Sequence, residues 1–236
     1  MISTLMTLPL TEAGSEHTRN IPLPGEREKS MPALSLKPSP SLADAILGNE
    51  GNTLFRNALL ALAGSVLIAI SAQIVFRLPI SPVPITGQTF AVLIVGMALG
   101  PRLGALAAIA YLIEGIWFPV FAEARTWAHP FTLWTAGYLA GFVGAAYVTG
   151  WLAQQGWDRH PFSTAVAMVL GNIAIYIPGT LWLSYMYAVN TDFTGMALVG
   201  EVATKGFALF LIGDALKLVL AVLAFPMAWK WVSGRR

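Results

Sequence analysis

Cysteine is absent from the 236 residues of this chain, which excludes disulfide bridges, thiolate chemistry and metal sites with cysteine ligands. Charged residues are also scarce: they make up 11% of the sequence, whereas about a quarter of the residues of a soluble domain are charged. Hydrophobic residues account for 56%, and the mean hydropathy is +0.66. This balance predicts an integral membrane protein.

Motifs for catalysis and nucleotide hydrolysis are missing as well. The sequence has no Gly-x-x-x-x-Gly-Lys-Ser/Thr phosphate loop, so we do not expect the chain to hydrolyse ATP itself. It has no His-Glu-x-x-His pattern, and His129 and His160 stand alone in different connections. We therefore predict no enzyme, no metal site and no cofactor. The basic residues lie beside apolar segments, which is typical of membrane proteins and gives no reason to expect a nucleic-acid partner.

Long apolar segments are abundant, and six of them follow one another: Leu54–Phe76, Ile85–Leu99, Leu103–Phe121, Phe131–Leu152, Ser163–Val189 and Ala203–Trp231. The alternating ten-residue strands of a transmembrane β-barrel are not seen. We expect an all-α integral membrane protein with six transmembrane helices in residues 53–236.

Residues 1–52 contain scattered prolines and polar residues without apolar periodicity, which predicts a disordered polar tail. The sequence leaves open whether translation starts at Met1 or at Met31.

Basic residues near the ends of the spans predict the orientation. An alternating topology places six Lys/Arg on the side of the termini and three on the other side: Arg56, Arg102, Arg159, Lys230, Arg235 and Arg236 against Arg77, Arg125 and Lys205. Because basic residues collect on the cytoplasmic side, we expect both termini in the cytoplasm and the chain in the cytoplasmic membrane. The connections at 77–84, 117–130 and 190–201 then face outside.

A proline loop, residues 79–84, separates the first two spans. Its three prolines cannot continue a helix, so its backbone should be extended, with polar groups that need a partner. The next span has only 15 residues, which cover about 22 Å of a hydrocarbon core about 30 Å thick. We expect the loop to dip toward the membrane and to be functional, with Thr86 and Gln88 at its end closing over a bound ligand as a lid; the alternative is a plain connector.

Two opposite charges, Asp214 and Lys217, lie on one face of the sixth span. Each charge costs roughly 2.5–3.5 kcal/mol or more at the centre of a span, which favours a functional polar site. The alternative is a self-neutralising pair that only fixes helix packing. Glu114 in the third span is a second candidate, either buried or extended toward water.

The fifth span also carries candidate ligand-binding residues. Asn172 and Tyr176 share a face, Pro178 should kink the helix just beyond them, and Trp182 continues the same segment. Small residues at four-residue spacing indicate close helix contacts, within the bundle or with another membrane protein. They form two strips: Ala61, Ser65 and Ala69 in the first span, and Gly137, Gly141 and Ala145 in the fourth.

Several motifs, taken in order, resemble the BioY family of biotin-specific substrate-binding components of energy-coupling-factor transporters. These motifs are Pro82-Val83-Pro84-Ile85-Thr86-Gly87-Gln88-Thr89, Leu99-Gly100-Pro101-Arg102-Leu103-Gly104, Pro119-Val120-Phe121-Ala122, Gly137-Tyr138-Leu139-Ala140-Gly141-Phe142, then Tyr176, Gly179, Trp182 and Leu183, and finally Gly213-Asp214 with Lys217. The chain departs from the family pattern in residues 123–136, where family members usually have a glycine-rich loop followed by Gly-Pro-Thr-Gly-Gly-Tyr. This departure concerns the outer wall of the expected pocket.

The resemblance implies a six-helix component that captures biotin from outside and works with a membrane coupling protein and two cytoplasmic ATPases. It implies that the strip Ala61, Ser65 and Ala69 meets the coupling protein. Biotin carries a carboxylate, a ureido group and an apolar ring, for which the expected contacts are Asp214, Lys217, Asn172, Tyr176, Trp182, Tyr138, Thr86 and Gln88. Which of the two charges meets which end of biotin stays open. Alternatives are another small vitamin, a membrane-embedded enzyme using Glu114 or Asp214, and a non-transporting assembly protein.

Overall fold

The computed structural model describes residues 39–48 and 53–234, and this part of the chain is mostly helical. The helices described are α1 (Leu42–Leu47), α2 (Thr53–Ala72), α3 (Gln88–Leu99), α4 (Pro101–Trp117), α5 (Pro130–Gln154), α6 (Pro161–Asn190), α7 (Gly195–Gly206) and α8 (Leu211–Ser233). Two short strands, β1 (Val75–Phe76) and β2 (Ile85–Thr86), pair antiparallel. A 3-10 turn, Ala208–Phe210, separates α7 from α8.

Four helical segments among the described residues are long and apolar enough to cross a membrane: Thr53–Ala72, Thr132–Gln154, Pro161–Asn190 and Gly195–Ser233. The second and third predicted spans form shorter helices, α3 with 12 residues and α4 with 17. The prediction of a mostly helical, multi-pass membrane protein is confirmed.

The connection between α6 and α8 differs from the prediction. A loop was expected at Asn190–Glu201 and one continuous span at Ala203–Trp231, but α7 occupies Gly195–Gly206 and the last helix begins at Leu211. The backbone leaves the helix at Phe207, where φ is −136° and ψ is −62°. Apolar composition continues through this break, so hydropathy does not reveal it.

The beginning of the described chain also differs from the prediction of a disordered tail over residues 1–52. The hydroxyl oxygen of Ser41 caps α1 by accepting a hydrogen bond from the Asp44 N–H at 3.1 Å. Asp44 forms an ion pair with Arg56 of α2, and Leu42 is buried. Disorder is therefore the wrong expectation for residues 42–47. The rest of the predicted tail and both candidate start residues lie outside the described residues.

Helices α5 and α6 approach closely along the small-residue strip of α5, which consists of Gly137, Gly141 and Ala145. The sequence analysis predicted a close helix contact at this strip. A Cβ at Gly137 would lie 2.3 Å from the Cβ of Trp182 on α6, and one at Gly141 would lie 2.9 Å from the Cα of Ile175. Ala145, the third member, is fully buried. The strip thus packs inside the bundle, where the absence of side chains lets two backbones meet.

Replacing Gly141 by Val should destabilise this contact, because the new side chain meets the backbone of α6. Overpacking of this kind typically costs about 1–3 kcal/mol, and each kcal/mol lowers the melting temperature by about 2–4 °C in a chain of this size. The matched control is Gly144→Val on the same helix, since a Cβ there meets nothing within 4 Å. Thermal unfolding of both variants in detergent tests the contact, and equal melting temperatures would contradict it.

Candidate functional site

A cavity lies where the proline loop and the loop after α4 meet helices α3, α5, α6 and α8. Its polar lining consists of Thr86, Gln88, Thr89, Arg125, Thr132, Thr135, Asp214 and Lys217. Its apolar and aromatic lining consists of Val83, Pro84, Phe121, Ala122, Tyr138, Leu139, Phe142, Ile175, Tyr176 and Phe210. Six of the eight residues that the sequence nominated for ligand binding line this one cavity: Asp214, Lys217, Tyr176, Tyr138, Thr86 and Gln88.

The two charges of the last helix form the polar centre of the cavity. Asp214 lies in the first turn of α8, which begins at Leu211, and it is only 8% exposed. The ammonium of Lys217 lies 3.1 Å from Asp214 Oδ1 and donates to Thr89 Oγ1 at 2.7 Å. The hydroxyl of Tyr176 donates to Asp214 Oδ2. The charges neutralise each other, as the packing alternative requires, and they also face the cavity.

The break between α7 and α8 helps to place these groups. Because α7 ends at Gly206, the carbonyl oxygen of this residue accepts a hydrogen bond from the Tyr138 hydroxyl at 2.8 Å. The ring of Tyr176 packs edge-on against Phe207 at the break, with 5.0 Å between ring centroids. The start of α8 carries the positive end of the helix dipole, which favours the carboxylate of Asp214 in its first turn.

The proline loop is non-helical, as the sequence predicts, but it is not extended throughout: the Ser81 N–H donates to the Leu78 carbonyl at 3.2 Å and closes a turn. Residues 77–84 contain no helix or strand, and β1 and β2 close the loop as a short hairpin. Ser81 Oγ donates to the carbonyl of Lys205 near the end of α7 at 2.9 Å. The Gly87 N–H donates to the Ile74 carbonyl at 3.0 Å. The loop is therefore joined to both α7 and the end of α2.

Thr86 and Gln88 lie at the inner edge of this loop. Thr86 belongs to β2, opposite Val75, and is buried. Gln88 is the first residue of α3, and its Oε1 accepts a hydrogen bond from the Tyr111 hydroxyl of α4 at 2.9 Å. Both residues line the cavity, but Gln88 is anchored to the helix bundle and does not belong to a free lid.

Asn172 and Trp182 are the two nominated residues that the structure does not bring to the cavity. Asn172 is half-buried on α6 one turn before Tyr176, and the cavity lining on this helix is limited to Ile175 and Tyr176. Trp182 lies against α5, where its indole N–H donates to the Leu133 carbonyl at 2.5 Å. It packs on the backbone of Gly137 and so belongs to the contact between α5 and α6.

The strip Ala61, Ser65 and Ala69 also lies differently from the expectation. Ser65 is fully buried and donates to Glu114 Oε1 of α4 at 2.5 Å. It therefore faces the bundle and not a partner protein, which corrects its assignment to a partner interface. Ala61 and Ala69 are half-buried at the edges of the strip. Glu114 finds its partner in Ser65 and is not part of the cavity lining.

Several lining residues were not found from the sequence. Thr132 and Thr135 of α5 add hydroxyls, and Phe142 adds an aromatic wall one turn beyond Tyr138. Arg125 reaches the cavity from the loop after α4, in the segment that departs from the family pattern. Thr135 lies three residues before Tyr138 and Phe142 lies four residues after it. This helical spacing places all three on one face of α5 and could have identified them from the sequence.

The arrangement suits a small ligand with both polar and apolar parts. It combines charged groups, hydroxyl donors and aromatic walls, which is the usual chemistry of a specific ligand pocket. Among the residues that the structure describes, no group of three or more His, Asp or Glu side chains is placed to hold a metal ion.

Comparison with known proteins gives consistent matches. A family model described as the BioY family matches residues 42–234. The chain is 33% identical over 173 residues to the biotin transporter BioY of Rhizobium etli, which covers 70% of this chain and 88% of that protein. It is 33% identical over 160 residues to the biotin transporter BioY of Thermotoga maritima, covering 66% of this chain and 86% of that protein.

A solved structure has the same fold. The crystal structure of the S-component for biotin from an ECF-type ABC transporter superposes with a TM-score of 0.62 at 20% sequence identity. The match covers 78% of this chain and 95% of the solved chain. Almost the whole of that protein is thus represented in this fold.

Neutralising only one member of the buried charge pair should destabilise the protein, because the other charge stays buried without its counter-ion. Such a loss typically costs about 3–5 kcal/mol. We expect Asp214→Asn and Lys217→Met each to lower the melting temperature of the ligand-free protein. The double variant should recover most of the loss, since no unpaired charge remains. Melting temperatures of the four proteins in detergent test this, and a double variant that loses the sum of both single effects would contradict the pairing.

Proposed function

The chain belongs to the BioY family, and we propose that it binds biotin as the substrate-binding component of an energy-coupling-factor transporter for biotin uptake. The observation that carries this proposal is the cavity, in which the buried pair of Asp214 and Lys217 meets an aromatic wall. Biotin has a ureido head, an apolar sulfur ring and a carboxylate at the end of a flexible chain. A cavity with a charged centre, aromatic walls and further polar side chains at Arg125, Thr132 and Thr135 matches this order of groups.

We assign the ureido head to the end of the cavity at Asp214. A carboxylate has about four acceptor positions, and Tyr176 and Lys217 occupy one each. The remaining positions suit the two ureido N–H donors, and Lys217 and Thr89 offer donors for the ureido carbonyl. Tyr138, Tyr176 and the neighbouring aromatic residues then cover the sulfur ring.

We propose six membrane-spanning helices, α2, α3, α4, α5, α6 and α8, with both termini in the cytoplasm and the protein in the cytoplasmic membrane. Helix α3 extends only about 18 Å, which is less than the thickness of the hydrocarbon core. The proline loop, with its hairpin of β1 and β2, would therefore fill the rest of this depth. Irregular backbone is tolerated at such depth only where it packs on protein or lines a cavity, and the hairpin does both. The ligand would then enter from the outer side, past this hairpin.

The proposed partners are a membrane coupling protein and two cytoplasmic ATPases. The sequence has no phosphate loop, so the energy of ATP hydrolysis would have to come from such partners. Of the residues assigned to this contact, Ala61 and Ala69 stay candidates, since each keeps part of its surface exposed.

The alternative of a membrane-embedded enzyme has little support. The relatives matched are transporters, and the two carboxylates that an enzyme would use lie apart: Glu114 bonds to Ser65 outside the cavity, and Asp214 lies within it. Another small vitamin as substrate is tested together with biotin below.

The topology can be tested by cysteine labelling, since the native chain has no cysteine to remove. Asp192→Cys, exposed between α6 and α7, should react with a membrane-impermeant maleimide on intact cells. His160→Cys, exposed between α5 and α6, should react only after permeabilisation. The opposite pattern would place the termini outside.

Biotin binding is tested by equilibrium binding to the purified protein. Asp214→Asn should weaken binding by about several hundred-fold, because Lys217 loses its counter-ion and the ureido N–H groups lose one of two acceptor oxygens. Gln88→Ala should have a smaller effect and mainly speed release, since the amide lies at the edge of the polar centre. Asp192→Asn makes the same charge change on the surface and should bind normally.

Two outcomes would contradict this assignment. Near-normal affinity in both Asp214→Asn and Lys217→Gln would mean that biotin binds elsewhere. Tighter binding of another vitamin by the unaltered protein would mean that biotin is not its substrate.

A further inference from the structure

The loop after α4 forms a tight turn that brings a cation to the cavity. Phe121 and Arg125 pair across this turn through two backbone hydrogen bonds, of 3.0 and 3.3 Å. Between them, Glu123 and Ala124 have positive φ angles, +60° and +53°, which residues other than glycine adopt uncommonly. Such a conformation persists only where neighbouring groups hold it.

Gln73, at the end of α2, holds this turn in place. Its side-chain amide N–H groups lie within 3.2 Å of the carbonyls of Val120 and Phe121, and its Oε1 accepts from the Ala124 N–H at 3.0 Å. Arg125 is therefore fixed at its backbone, with its side chain only 13% exposed and in the cavity lining.

Glu123 joins the turn to the proline hairpin. Its carboxylate forms ion pairs with both Arg77 of the hairpin and Arg125 of the turn. The hydrogen bond from Arg77 holds the pKa of the Glu123 carboxyl below its ordinary value, so the carboxylate is ionised at neutral pH. The Glu123 carboxylate thus lies between two guanidinium groups.

The charges that line the cavity are unequal. Lys217 forms an ion pair with Asp214 at 3.1 Å and also donates a hydrogen bond to Thr89. Arg125 is the remaining charged residue of the described lining, and its partner Glu123 is outside that lining and shared. The described lining therefore contains two cationic side chains, Lys217 and Arg125, of which Arg125 lies away from the Asp214 pair and is placed to meet an anionic group of a ligand.

We infer that Arg125 binds the carboxylate of the ligand, while the pair of Asp214 and Lys217 binds the uncharged polar head. This inference rests on the proposed function and extends it. A guanidinium presents two parallel N–H donors that match the two oxygens of a carboxylate.

The experiment compares biotin with its primary amide, which has the same shape but no negative charge. Hydrogen bonds to a charged group contribute about 1.5–3 kcal/mol, so the unaltered protein should prefer biotin by about ten-fold or more. In Arg125→Gln this preference should disappear, with the affinity for the amide unchanged. Unchanged amide binding also shows that the variant is folded. Arg125→Lys, which keeps the charge but not the paired donors, should retain part of the preference.

Arg102→Gln is the matched control, because Arg102 is exposed, lies outside the cavity lining and is remote in sequence from Glu123. It should keep the full preference for biotin over the amide. The inference is overturned if Arg125→Gln keeps the preference, if Lys217→Gln alone removes it, or if the unaltered protein binds both compounds equally. A protein that binds neither compound would instead overturn the proposed function.

Discussion

Two opposite charges inside an apolar helix are the constraint around which this structure is arranged. Neither charge is stable in hydrocarbon by itself, so each must be solvated by protein groups. Asp214 and Lys217 form an ion pair, and each also makes a hydrogen bond to a neutral side chain: Asp214 to Tyr176 of α6, and Lys217 to Thr89 of α3. Three helices are thereby tied to one point, and the cavity forms there because the polar groups of these helices must converge.

The break before α8 follows from the same constraint. A continuous helix would bury every backbone group in its own hydrogen bonds and would place Asp214 in the middle of a span. Ending α7 at Gly206 releases a carbonyl for Tyr138 and puts Asp214 in a first turn, where the helix dipole favours a carboxylate. Backbone and side chain thus supply the polarity that water supplies in a soluble protein.

The features predicted correctly from sequence are those that polarity determines. The helical membrane class, the non-helical proline loop and the charge pair all stand out against an apolar background. The orientation of α2 was not predictable, because both lipid and the protein interior are apolar, and amphipathicity therefore does not tell the inner face from the outer one. The contact with Glu114 and the complete burial of Ser65 show that this residue faces inward. Similarly, Asn172 and Tyr176 share a face of α6, but the cavity reaches only as far as Tyr176, so Asn172 does not line it.

Arg125 illustrates a different limit of prediction from sequence. Its position depends on a turn held by Gln73, a residue 52 positions earlier in the chain, and no local pattern records that bond. The aromatic wall is carried by α5 and α6, whose close backbone contact leaves little room for substitution. The turn after α4 is also packed, since Phe121 is buried against the ring of Tyr111. The cavity thus has one wall fixed by the contact between two helices and another fixed by a turn whose hydrogen bonds come from a distant part of the chain.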